Sequence, residues 1–361
     1  MAPRENHIGK KGQRGGVLDG VVRRWLPALT LALAAALVAA GASPASSIVY
    51  LKGGDIYRAS PGGAVKRVVV RASDGRRFST VTQDDRGRLY AVEEPTRRWV
   101  RFSASGKHVG RVFNTTGHGL RLHYDPARNR PGFTGPLDVQ ASNGGEMLAQ
   151  WGILEQLDHI NPQAVPPQPK YVVQGFVAAL VTSSGSDRDF TGKAPTNGLA
   201  WPSFLSDGTV IAAAFNNLLK GYGVWYFRPR SNEVRFWFGP TNNQLRLGNP
   251  EVSRGGDLIA VTTDRDNAGS TDDEIVVGHL PGPPPATPDR DCTWPNPNGT
   301  ASSLTWSPDG ATLAWSDKVG VWTARIAVPP QTGQVCVVSD RHLLARKATS
   351  PDWSRSDSSR G

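Results

Sequence analysis

The chain has 361 residues, 38% of them hydrophobic, and carries 41 Lys and Arg against 31 Asp and Glu, a formal net charge of +10 at pH 7. The first 47 residues carry six basic and two acidic residues, and the 35 basic against 29 acidic residues that remain are too balanced and too dispersed for a nucleic-acid-binding protein. Forty Gly, 28 Pro and 11 Trp, without a long amphipathic helical pattern, point to an all-β chain.

Residues 1–25 form a basic arm, with Arg4, Lys10, Lys11, Arg14, Arg23 and Arg24, and are expected to be disordered. Residues 26–45 follow as an apolar helix, uncharged from Leu26 to Ala42, with Ala40 and Ala42 forming a small-residue cleavage site. Basic flank, apolar core and small-residue exit predict export. The apolar segment is close to the lower length limit for a bilayer span, so it is read either as a cleaved signal peptide or as a retained anchor. The body is thus expected outside the cytoplasm, secreted or tethered to the cytoplasmic membrane.

From residue 46 a repeat sets in. Gly87, Gly145, Gly208, Gly256 and Gly310 each open an alternating run: Leu89 and Ala91, Met147 and Ala149, Val210 and Ala212, Leu258 and Ala260, Thr312 and Ala314. Alternation is strand periodicity, and the anchor spacings of 58, 63, 48 and 54 residues suit four-stranded blades with loop insertions. A sixth unit emerges when the two ends are joined. IVYLKGGDIYRAS from Ile48 lines up with LAWSDKVGVWTARI from Leu313 but lacks an inner strand, and SPDWSRSD from Ser350 supplies one. The prediction is a six-bladed β-propeller over residues 46–354, closed by the C-terminal strand, with a disordered tail at 355–361.

Equivalent positions in the inner strands should share an environment. One column, Trp306 with Gln83, Ala141, Phe204, Val252 and Trp353, is mostly apolar and is expected to pack between blades. Its neighbour, Thr82, Gln140, Ser203, Glu251, Thr305 and Asp352, is polar in every copy. That column is expected to line a water-filled axial channel and to form the ligand-binding surface, with Glu251 and Asp352 as an acidic side.

Cys292 and Cys336, an even pair in an exported chain, are expected to form one disulfide, with two free buried thiols as the other reading. Asp264 to Glu274 is acidic and partly matches a calcium loop, but Ala268 and Ile275 stand where ligands belong; it reads as a hairpin tip, and no cofactor other than calcium enters consideration. No nucleophile elbow, HExxH pair, phosphate loop or dinucleotide fingerprint occurs.

WSPDGATLAWSD from Trp306, with FLSDGTVIAAAF and VSRGGDLIAVTTD, resembles the repeat of TolB-type six-bladed propellers, over about Ile48 to Ser354; the N-terminal domain of that family has no counterpart here. Export, the closed ring and the missing catalytic signatures favour a binding protein. Two readings follow: a monomeric, non-enzymatic scaffold for an envelope protein or cell-surface polymer, or a sugar hydrolase or lyase using Glu251 and Asp352 as acid and base.

Overall fold

A computed structural model describes residues 46–73, 76–94, 98–109, 132–145, 147–157, 171–182, 187–189, 196–216, 221–228, 231, 233–239, 245–265, 273–328 and 337–355, all within the compact unit Ala45–Gly361. The basic arm and apolar segment, Cys336, most of the acidic hairpin tip and nearly all of the C-terminal tail lie outside the described residues. Among the described residues no helix occurs, and none is long and apolar enough to cross a membrane.

The repeat begins in its turns. In the last copy Gly310 N–H donates to the Ser307 carbonyl at 2.8 Å, Ser307 N–H donates to Thr312 O at 2.8 Å, and Asp309 Oδ1 accepts Ala311 N–H at 3.1 Å. Ser307 Oγ also accepts Thr312 N–H, so Ser and Asp satisfy the turn's own donors. All five anchor glycines have φ between 64° and 83°, the left-handed region in which a Cβ is penalised. Five anchors from sequence are therefore five real turns.

The strands, in chain order, are β1 (Ser47–Lys52), β2 (Asp55–Ala59), β3 (Lys66–Val70), β4 (Arg77–Gln83), β5 (Leu89–Glu94), β6 (Arg98–Phe102), β7 (Gly132–Ala141), β8 (Met147–Leu157), β9 (Tyr171–Thr182), β10 (Asp187–Asp189), β11 (Thr196–Phe204) and β12 (Val210–Asn216). They continue as β13 (Gly221–Arg228), β14 (Glu233–Phe238), β15 (Leu245–Val252), β16 (Leu258–Arg265), β17 (Asp273–His279), β18 (Asp289–Asn296), β19 (Ser302–Trp306), β20 (Thr312–Ser316), β21 (Gly320–Ala327), β22 (Val337–Arg346) and β23 (Ala348–Ser354). The expected clasp is present: β23 pairs antiparallel with β1, Ile48 facing Trp353 and Val49 facing Asp352.

The expected count of six separate blades is corrected to five sheets among the described residues. The fourth and fifth repeat units are one sheet of eight strands, in which β11 to β14 and β15 to β18 are joined by a single parallel pair, Tyr222 with Arg246. The cause is strand length. β14 covers β13 only from Val224 to Arg228, so the start of β13 is an open edge on which β15 pairs. β18 arises inside the Pro-rich stretch from Pro281 to Thr300 and pairs with β17.

Six inner strands form a closed ring of neighbours, β4, β7, β11, β15, β19 and β23. The core lies between sheets, because each strand presents alternate residues to the sheet on either side. Ile48 and Tyr50 pack with Ala314, Val321 and Leu344, whereas Val49 and Leu51 pack with Phe78, Val81 and Leu89. The apolar column behaves as expected: Trp306 packs with Ala260 and Ile275, Val252 with Leu205 and Ile211, and Ala141 with Tyr90 and Trp99.

Arg58 staples the first sheet to the second. It is fully buried and donates to Ala104 O at 2.9 Å and Gly87 O at 2.8 Å, and burial lowers its pKa to about 10. Replacing it by Met should destabilise the fold by about 3 kcal/mol, since one buried and one part-buried carbonyl lose their donors. Chemical denaturation reads this directly, and an unchanged midpoint would reduce the staple to a spectator.

Candidate functional site

The six polar residues of the predicted channel column converge on the axis, where most of them bond to one another. Asp352 is the hub. Its Oδ2 accepts Thr82 Oγ1 at 2.8 Å and Gln83 N–H at 2.6 Å, its Oδ1 accepts Thr305 Oγ1 at 3.4 Å, and the Gln140 side chain also hydrogen-bonds to it. Ser203 Oγ donates to Glu251 Oε2. Thr82, Ser203, Thr305 and Asp352 are all buried. Instead of lining an open water channel, the column forms a closed polar layer across the ring, because short hydroxyl and carboxyl side chains satisfy each other more cheaply than they would an empty bore.

Two small cavities flank that layer, and only Gln140 and Glu251 line both. Each leaves about 30 Å³ for the centres of water molecules. That is room for about two or three waters, and far too little to enclose a sugar ring.

The cavity on the N-terminal side of the layer has a rim that sequence reading missed. Two residues before each column member stand Thr80, Asp138, Trp201, Asn249, Ser303 and Ser350, and all six line it. In β11, β15, β19 and β23 two residues face one on the partner strand at this point, for instance Trp201 and Pro202 against Ala212. Each is a one-residue bulge. Trp201, Asn249, Ser303 and Ser350 occupy it with φ of 53°, 45°, 52° and 50°. Left-handed backbone costs a residue with a Cβ about 1–2 kcal/mol, and Trp is an unusual occupant. Asn249 Oδ1 accepts Ser303 N–H at 3.1 Å, and Thr80 donates to Asp138 at 2.6 Å, so the rim is cross-linked. A signal was present in the sequence. Trp201, Asn249 and Ser350 each precede a proline, and a proline at a bulge forfeits no ladder hydrogen bond.

The opposite cavity is closed by charge. Arg254, in the turn after β15, reaches Asp85, in the turn after β4 and three strands away round the ring, at 2.6 Å. It also donates to Trp353 O at 3.4 Å, and Asp85 accepts Arg355 N–H at 3.1 Å.

Both carboxyls of the layer titrate high. Burial pushes Glu251 up to about 8, with Asp352 adding to the shift while the Ser203 hydroxyl and Arg254 oppose it. Burial raises Asp352 to about 6 against the hydrogen bonds from Gln83 and Thr82. Both carboxyls are thus biased toward the protonated form, which favours one charge in the layer rather than two. Among the described residues no group of three or more His, Cys, Asp or Glu is placed to hold a metal ion. Cys292 is buried in the core against β19 and β20, whereas its expected partner Cys336 lies outside the described residues.

No family model matches the sequence, and no curated protein matches it. Solved structures do. TolB from Acinetobacter baumannii aligns over 94% of this chain and 74% of its own, with a TM-score of 0.53 and 13% identity. A chain of the nidogen/laminin complex aligns over 85% and 98%, with a TM-score of 0.55 and 11% identity. The chain is a β-propeller. A Bacteroides fragilis protein proposed to be a 6-phosphogluconolactonase aligns over 87% of this chain and 99% of its own, with a TM-score of 0.52 and 11% identity. Identities this low show the fold alone. They leave the work of this propeller to its own residues.

Proposed function

We propose that this is an exported, non-enzymatic propeller of TolB-like repeat type, which binds an envelope protein or cell-surface polymer at the axial mouth ringed by Trp201, Asn249, Ser303 and Ser350. The observation that carries the reading is the concentration of four left-handed, non-glycine residues on one rim, since such strain is held only where the surrounding structure over-determines it and clusters at ligand sites. Gln140 and Glu251 form the floor that a ligand would meet. Export and placement outside the cytoplasm rest on the N-terminal basic and apolar segments, as does a Cys292–Cys336 disulfide in that oxidising setting. The chain acts as a monomer.

The sugar-hydrolase alternative finds no supporting geometry here, because Glu251 and Asp352 are engaged within the layer and the cavities beside them are water-sized. Full-length protein immobilised on a support should retain envelope components at physiological salt, and Ser303→Arg, which fills the mouth with a bulky cation, should cut retention about tenfold, a loss of about 1.4 kcal/mol. Equal retention by the variant would place the binding surface elsewhere.

A further inference from the structure

The end of the ring that bears the rim also gathers cations which the sequence scatters. Arg76 and Arg77 lead into β4, Lys52 tips the β1–β2 hairpin, Lys318 stands in the turn between β20 and β21, and Arg346 and Lys347 join β22 to β23. They come from both ends of the chain. Backbone contacts set them side by side: Lys347 N–H donates to Val319 O at 2.8 Å, Lys52 precedes the hairpin turn and faces Ala348 across the β1–β23 ladder, and Phe78 N–H donates to Gly54 O at 3.2 Å. The arc thus crosses the last, first and second sheets, and all six side chains are exposed.

Acidic groups of the same stretch are drawn inward. Asp55 Oδ1 accepts Ala72 N–H at 2.7 Å, Asp317 is buried and accepts Val319 N–H at 2.8 Å, Glu93 is buried and meets Arg76 at 3.4 Å, and Glu94 is half-buried at the end of β5. Among the described residues the Arg76–Glu93 contact is the one ion pair made by the six cations. Like charges collected in this way repel each other, and a ligand that brings its own row of negative charges relieves that repulsion. The rim cavity is not its seat, because the ionisable residues there are Asp138 and Glu251. The large apolar residues exposed among the described residues, Val65, Val109 and Val337, lie outside these turns, so the arc has nothing to insert into a bilayer. Cations on successive turn tips instead match a linear chain that touches one turn after another.

We propose that the turns carrying Lys52, Arg76, Arg77, Lys318, Arg346 and Lys347 form a docking surface for a linear anionic polymer of the cell envelope, with a phosphate or carboxylate on each repeat unit. The envelope setting rests on the reading above, whereas the surface lies beside the axial mouth and not in it. Arg77 presents a planar fork suited to an oxyanion, and the three lysines act as point charges along the chain.

The test titrates full-length protein into fluorescently labelled inorganic polyphosphate and poly-glutamate, read by anisotropy over a range of salt. One variant carries Lys52→Gln, Lys318→Gln and Lys347→Gln; a control of equal net charge carries Arg86→Gln, Lys107→Gln and Arg325→Gln, all exposed and outside the arc. The first should bind at least one of the two polyanions about tenfold more weakly at physiological salt, with a salt slope lower by about two to three, while the control stays within about twofold of the wild type. Thermal melts confirm folding, and Lys318→Gln alone, with a loss of about threefold, replaces a triple variant that fails to fold. Equal losses in both triple variants, or no loss in the first, overturn the proposal. So does arc-dependent binding to vesicles of phosphatidylcholine and phosphatidylglycerol with none to either polyanion, which assigns the surface to a membrane. If the arc variant retains envelope components as the wild type does and Ser303→Arg loses them, this assignment fails and the mouth reading stands; if polyanion binding follows the arc and Ser303→Arg retains everything, the mouth reading fails and this one stands.

Discussion

A chain ending at Arg346 should lose the native fold. Without β23 the whole edge of β1 is unpaired, and the core between the first and last sheets loses Ala348 and Trp353, both buried. The axial layer also loses Asp352, leaving Thr82 Oγ1 and Gln83 N–H without their acceptor. Each loss costs several kcal/mol and together they exceed the stability of an ordinary domain. The expected result is a flat near-ultraviolet dichroism spectrum and an aggregated elution profile. The milder Trp353→Ala removes one buried indole, which should cost about 3–5 kcal/mol and lower the Tm by roughly 10 °C. A truncated chain melting cooperatively at the wild-type temperature would falsify the clasp as the closure of the ring.

The second large effect is in pH. A carboxyl whose pKa is raised by folding binds its proton more tightly in the folded chain, so stability is greatest below the unfolded value and is lost as pH rises through the folded one. For Glu251 that window runs from 4.5 to about 8, and for Asp352 from 3.8 to about 6. Stability should therefore decline from pH 5 to pH 8, by on the order of 3 kcal/mol, opposite to the trend of a protein held by surface ion pairs. Glu251→Gln keeps the hydrogen bond from Ser203 in shape and cannot ionise. Its Tm should be nearly level above pH 6 and should exceed that of the wild type at pH 8. Parallel curves for the two proteins would mean that the Glu251 carboxyl is solvated after all.

Local chemistry wrote a good part of this molecule plainly. The five anchor glycines and the alternating strands after them follow from backbone sterics and period-two patterning, which act within a few residues, and the joining of Ile48 with Trp353 was legible because two incomplete copies of one repeat complete each other. The partition of the two inner-strand columns, one apolar and between sheets, the other polar and on the axis, was legible for the same reason.

What spacing could not reveal depends on distances across the ring. Whether polar residues line a channel or plug it is decided by how closely six strands approach, and here Thr82, Thr305 and Gln140 come near enough to saturate Asp352. The fusion of two repeat units into one eight-stranded sheet likewise turned on β14 being shorter than β13, a matter of two or three residues that no pattern marks. The rim was hidden most deeply, for a bulge is an extra residue counted against a partner strand, and a single strand read alone has no partner to be counted against. Sequence thus determined which residues face the axis, through side-chain alternation; tertiary structure decided what they do there, because hydrogen bonding and desolvation are set by neighbours brought from other parts of the chain.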